Sequence, residues 1–150
     1  MFLRKSTREL DKFIVHHFGG VPPEGTNVES IRVMHTTPKA NGGRGWADIG
    51  YHGLIHPDGS FEVGRDVDID GAHAFGSNRN SLGIMLVAGL AEGDTHTRPT
   101  PAQLATLIKL IAEQRAHFPE MEIMGHRDTK ATLCPGFDVR HWLITGKVQA

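Results

Sequence analysis

The chain has a single cysteine, Cys134, so no internal disulfide can hold it together and its fold must rest on a buried apolar core. It also lacks an excess of either charge. Its 16 Lys and Arg against 17 Asp and Glu leave a formal net charge of -1. That balance gives no electrostatic case for binding nucleic acid or an anionic membrane, so neither is expected as a partner. No apolar run approaches the roughly 20 residues of a membrane-spanning helix. The first residues, Met1 to Glu9, turn charged at once and show no apolar signal segment, which reads as synthesis in the cytoplasm. Tyrosine is as scarce as cysteine, with Tyr51 alone.

What the chain does have is histidine, ten in 150 residues, enough to justify a search for a metal. The length suits one domain with one core, and 39% hydrophobic with 22% charged residues is ordinary globular composition. The expected division is a polar lead-in over residues 1–12 (with a short helical turn), a catalytic domain over 13–145 and a tail over 146–150.

The apolar run Phe13-Ile14-Val15 followed by His16-His17 predicts a buried central strand. Thr26 with Glu29 is a capping-box signal for a helix from about Asn27 to His35. Tyr51 to His56 reads as a strand, Asp58-Gly59 as a hairpin turn, and Phe61 to Arg65 as the returning strand. Asp66 to Asn80 reads as irregular, Ser81 to Gly89 as a second buried strand, and Ala91 to Arg98 as a polar surface loop. Thr100 as N-cap, Pro101 at the first position and Gln103 closing the box predict a helix over Pro101 to His117. Its apolar face is expected at Leu104, Leu107, Ile108, Ile111 and Phe118. A strand before His126 and a short helix from Asp138 to Thr145 complete the chain. Buried strands mixed with helices indicate an α/β domain, a central mixed and mainly buried β-sheet flanked by α-helices.

The chemistry concentrates in Gly125-His126-Arg127-Asp128-Thr129-Lys130-Ala131-Thr132-Leu133-Cys134-Pro135-Gly136. A histidine at a strand end and a cysteine on the next loop are two donors of the set zinc favours. A catalytic zinc takes three protein donors and keeps one open position, so a third is needed from another strand end. The pair His16-His17 is the best source, but strand alternation points the two to opposite faces and does not say which one joins the site. His52, His56, His35, His96, His117 and His141 read as structural, surface or helix-end residues, and Lys130 as solvated but within sequence reach of a substrate.

Several pieces in order form a larger pattern: Phe13-Ile14-Val15-His16, Asp48-Ile49-Gly50-Tyr51-His52, Gly71-Ala72-His73-Ala74, Asn80-Ser81-Leu82-Gly83-Ile84, Gly125-His126-Arg127-Asp128 and Cys134-Pro135-Gly136. This ordered set resembles the zinc-dependent N-acetylmuramoyl-L-alanine amidases of the type 2 family, which includes small bacteriophage lysozymes and the peptidoglycan recognition proteins. The resemblance implies one zinc ion held by His16, His126 and Cys134, with Tyr51 and Thr132 assisting catalysis. It implies peptidoglycan as substrate. A monomer is expected, and the missing signal segment fits an endolysin that acts on the cell wall after release, or a recycling enzyme in the cytoplasm. Arg44, His73, Asn78 and Arg79 are the expected substrate contacts. Thr132 departs from several phage members, which carry lysine there, while active recognition proteins carry threonine. A threonine hydroxyl can hydrogen-bond an oxyanion but is a poor base. The rival readings are a thiol hydrolase with Cys134 as nucleophile and a non-catalytic peptidoglycan-binding module, whose expected mark is a lost zinc ligand.

Overall fold

The run Lys12–His17 forms β1, the strand about which the sheet is built. A computed structural model describes residues 1–90, 93–94 and 96–150. The further strands are β2 (Gly53–Ile55), β3 (Phe61–Val63), β4 (Ser81–Leu86) and β5 (Glu122–Gly125), and the helices are α1 (Val28–Thr36), α2 (Pro101–His117) and α3 (Val139–Thr145). The sheet order is β3-β2-β4-β1-β5, with β2, β4, β1 and β5 parallel and β3 antiparallel at one edge. The expected α/β architecture with a mixed sheet is therefore present. The hairpin joining β2 and β3 turns at Gly59, whose φ of 86° suits a residue without a Cβ.

The two faces of β1 do different work. Phe13 and Val15 belong to the main core with Leu82, Ile84 and Leu86 of β4, Leu107, Leu110 and Ile111 of α2, and Val139 and Trp142 of α3. On the other face, Met85 and Leu54 pack with Val28 and Ile31 of α1, and Ile14 packs with Ala74 and Met124. Alternation puts His16 with Ile14 on the α1 face and His17 with Val15 on the α2 face.

Several sequence expectations need correction. The box that starts α1 is one residue later: Asn27 Oδ1 accepts from the Ser30 N–H at 2.8 Å, and Ser30 Oγ accepts from the Asn27 N–H at 2.9 Å. Thr26 is spent in the preceding loop, donating its hydroxyl to the Pro23 carbonyl at 2.6 Å. The buried stripe of α2 is rotated from the apolar one. Gln103 and Gln114 lie inside and Ile108 is 53% exposed, because Gln103 Nε2 donates to the carbonyls of Ile55 and Val87 at 3.1 and 3.2 Å. Residues 1–12 contain no helical turn; Leu3 and Leu10 are buried, and the N–H groups of Phe2 and Leu3 each donate to the Glu113 carboxylate at 2.7 Å. In the loop expected over Ala91 to Arg98, residues 91, 92 and 95 lie outside the described residues, and Thr97 is buried rather than on the surface.

Candidate active site

Parallel strands present their carboxyl ends along one edge of a sheet, where loops can converge on a ligand. Val15 of β1 stands opposite Gly125 of β5, so the next residues, His16 and His126, emerge side by side at that edge. Their ring centroids are 4.6 Å apart. The loop after His126 then folds back: the Arg127 N–H donates to the Cys134 carbonyl at 2.7 Å, and the His17 N–H donates to Cys134 Sγ at 3.4 Å. His16 Nδ1 lies 3.6 Å from Cys134 Sγ. One donor atom from each of His16, His126 and Cys134 lies within 4.8 Å of the other two.

These residues fit a zinc ion. Two donors at tetrahedral zinc bond lengths stand about 3.6 Å apart, the separation seen between His16 and Cys134. His126 Nε2 is buried with no hydrogen-bond partner, an arrangement that costs free energy unless something else satisfies it. Two imidazoles and one sulfur are a donor set of the right softness, and they leave a fourth position open.

The surroundings keep the two histidines neutral. Burial pushes the His16 pKa well below the ordinary value, helped by His73, His126 and His17; burial and then the Lys130 charge lower that of His126. Burial pushes the Cys134 thiol up to about 12, opposed by the His17 N–H.

A second layer of contacts orients the donors. His16 Nε2 lies 2.9 Å from His73 Nδ1, and His73 Nε2 lies 3.3 Å from Ser81 Oγ. Burial lowers the His73 pKa as well, and with both rings neutral the consistent assignment runs from the His16 Nε2–H to His73 Nδ1 and from the His73 Nε2–H to Ser81, which leaves His16 Nδ1 bare toward Cys134. His73 was expected to touch substrate. Both its ring nitrogens are instead committed behind His16, although the residue also borders the cleft. Gly83 and Gly71 make room for it, since a Cβ on either would run into its imidazole.

Tyr51 reaches the same edge from the segment before β2, its ring centroid 5.1 Å from that of His16. Arg65 fixes this segment, donating to the carbonyls of Ile49 and Asp70 at 2.8 Å and of Asp48 at 3.1 Å. Burial, reinforced by Cys134, raises the Tyr51 pKa, so the phenol keeps its proton at neutral pH. The Thr132 hydroxyl oxygen accepts from the Cys134 N–H at 3.3 Å, leaving its hydrogen free to donate into the cleft.

The cleft has a volume of about 680 Å³. Of the expected substrate contacts, Arg44, His73 and Asn78 border it, but Asn78 Oδ1 is engaged by the N–H groups of His73 and Ala74 at 2.9 and 2.8 Å. Arg79 is exposed and lies outside the lining, so its expected contact is not supported by its position. His35, read as a helix-end residue, is buried in the cleft wall: its Nδ1 accepts from the Gly50 N–H at 2.9 Å and its ring meets Trp46 and Tyr51. The signal was present, because His35 continues the buried face of Val28 and Ile31 at helical spacing. His52 is fully buried, accepting from the Gly83 N–H at 3.0 Å, in keeping with a structural role.

Residues 6–137 match the family of N-acetylmuramoyl-L-alanine amidases. The chain belongs to that family. The endolysin of Enterobacteria phage K11 is 36% identical to this amidase over 142 residues, which cover 94% of this chain and 90% of that one. Among solved structures, the N-acetylmuramoyl-L-alanine amidase LysC from Clostridium intestinale superimposes with a TM-score of 0.72 at 26% identity, covering 93% of this amidase and 85% of LysC. A bumblebee peptidoglycan recognition protein, PGRP-SA, superimposes with a TM-score of 0.73 at 25% identity, covering 93% and 83% of the two chains.

Proposed function

We propose that this amidase is a phage-type endolysin that hydrolyses the amide between the lactyl group of N-acetylmuramic acid and L-alanine in peptidoglycan, with one zinc ion held by His16, His126 and Cys134. The observation that carries this reading is the meeting of three donors from distant segments at a cleft, one of them a buried imidazole nitrogen without a partner. When bound, zinc supplies Lewis acidity and brings the pKa of water toward about 7. The remaining work falls to the chain. His73 holds the His16 ring in one tautomer through Nδ1. The Tyr51 and Thr132 hydroxyls donate to the oxygen that gains charge as the carbonyl is attacked. Arg44 binds the substrate from the Tyr51 side.

The chain acts as a monomer, and it reaches the wall after synthesis in the cytoplasm. No helix among the described residues is long and apolar enough to cross a membrane. The thiol-hydrolase rival is disfavoured because Cys134 does not open an α-helix; the loop runs through Pro135 and Gly136 before α3 begins at Val139. Inhibition by a chelator with rescue by zinc separates the two. The deciding experiment is mass analysis of digested peptidoglycan. New L-alanine amino termini are expected, and new reducing sugar ends instead would overturn the proposal.

A further inference from the structure

Among the described residues that line the cleft, the permanently charged side chains are both cations, Arg44 and Lys130. Arg44 stands on the side of His35 and Tyr51, and Lys130 on the side of His126, where its charge acts on that imidazole. No Asp or Glu occurs among the described residues that line the cleft. Nearby carboxylates are engaged elsewhere: Asp48 pairs with Arg32 at 2.8 Å, and Asp128 accepts from the Gly125 N–H at 2.9 Å and faces Arg140 at 3.6 Å. Neither Arg44 nor Lys130 forms an ion pair among the described residues. Arg44 is not free to wander, because its guanidinium lies 5.1 Å over the Trp46 ring.

Two cations with no carboxylate partner among the described residues, flanking a cleft whose described lining holds no carboxylate, select for negative charge in what enters. In a peptidoglycan strand the lactyl carboxyl is consumed in the scissile amide, so that end of the substrate is neutral. Negative charge next to the bond belongs to the peptide, which carries free carboxylates unless they are capped as carboxamides. We infer that Arg44 and Lys130 form a two-sided carboxylate subsite, which makes this cleft selective for stem peptides with free carboxylates over the same stems amidated. The inference rests on the amidase reading above and adds a choice between substrate subclasses. Lys130 becomes a specificity-determining residue that the motifs do not contain. The guanidinium offers a planar pair of N–H donors and the ammonium a mobile point charge, so Arg44 sets orientation and Lys130 follows a flexible peptide.

The test uses the free-amine stem peptide that hydrolysis would release, which has no scissile bond, in acid and carboxamide forms. Calorimetric titration of the full-length protein should show the acid form binding about tenfold more tightly at low salt, with the gap closing as ionic strength rises. In Lys130→Met and Arg44→Met the preference should shrink, and in the double variant it should fall to within about threefold, with the thermal midpoint unchanged. On intact muropeptides the same preference should appear in KM rather than kcat. Equal binding of the two forms by the unaltered protein, or a full preference surviving in the double variant, overturns the inference. If neither muropeptide yields new L-alanine termini while the binding preference persists, the amidase reading fails and the carboxylate subsite stands.

Discussion

His16 Nε2 and His73 Nδ1 are 2.9 Å apart, from residues separated by 57 positions in the chain. The contact leaves His16 one free nitrogen, Nδ1, and aims it at Cys134. His17 has no such arrangement. Its Nδ1 meets Thr97 Oγ1 at 2.8 Å, and only its backbone N–H reaches Cys134. His16→Ala, His126→Ala and Cys134→Ser should therefore each abolish retention of zinc after dialysis, measured by elemental analysis. His17→Ala should retain it, and the opposite pattern would overturn the ligand assignment.

Gly83 lies in β4 directly beneath the His73 ring. Gly83→Ala should lower stability by about 1–3 kcal/mol, the usual cost of overpacking, and reduce kcat by moving His73 off His16. The double change Gly83→Ala, His73→Ala removes the clash. Denaturant unfolding should find it more stable than Gly83→Ala alone, and additive losses would count against this packing.

Tyr51→Phe keeps the ring that packs on His16 and His35 and deletes only the hydroxyl. Loss of one oxyanion donor typically costs about 100- to 1000-fold in kcat. A fall of that size with zinc content and KM nearly unchanged is expected. A kcat within threefold of the unaltered enzyme would remove Tyr51 from the chemistry.

Stability should depend on pH through His35 and His52, which lie apart from the proposed donors. Burial lowers both to about 4 from an ordinary 6.5. Between pH 6.5 and 4 the unfolded chain takes up protons that the folded chain refuses, so stability falls as pH drops through that window. Above pH 7 these groups contribute no slope. Each accounts for on the order of 3 kcal/mol over the full interval. Calorimetry on chelator-treated protein should show the thermal midpoint falling steadily from pH 6.5 toward 4; a flat midpoint, or His52 ring protons titrating near 6.5 by NMR, would refute the account.

Much of this was legible in the residues, for identifiable reasons. The α2 boundaries and its Thr100–Gln103 box were readable because capping chemistry is local. The β1 strand was readable because its apolar run has no other use. The inward face of α2 was not, because Gln103 is buried by two carbonyls from distant strands rather than by hydrophobicity. Thr26 misled because Pro23, three residues before it, takes its hydroxyl. Strand alternation left His16 and His17 open and the resemblance implied His16; the sheet puts the His16 ring beside the Cys134 sulfur and the His17 ring against Thr97. Lys130 was readable as solvated and within sequence reach of a substrate; what only the structure shows is that no Asp or Glu stands among the described residues lining the cleft it borders.

The same logic gives Gln103 a testable weight. Gln103→Leu deletes the donor to Ile55 and Val87 and opens the N-terminal box, so about 2–4 kcal/mol of stability should go. Activity measured well below the unfolding temperature should be retained, because α2 packs on the sheet face opposite His16. Loss of activity without loss of stability would contradict that separation.

The placing of β1 between β4 and β5 has a consequence for biosynthesis. His16 is translated early, yet both strands that flank it, and the thiol that completes its surroundings, are translated much later. A chain made only as far as β4 already has His16, Tyr51 and His73, but lacks the second imidazole and the thiol of the proposed donor set. The grouping of His16, His126 and Cys134 therefore cannot close before the chain has been made as far as residue 134.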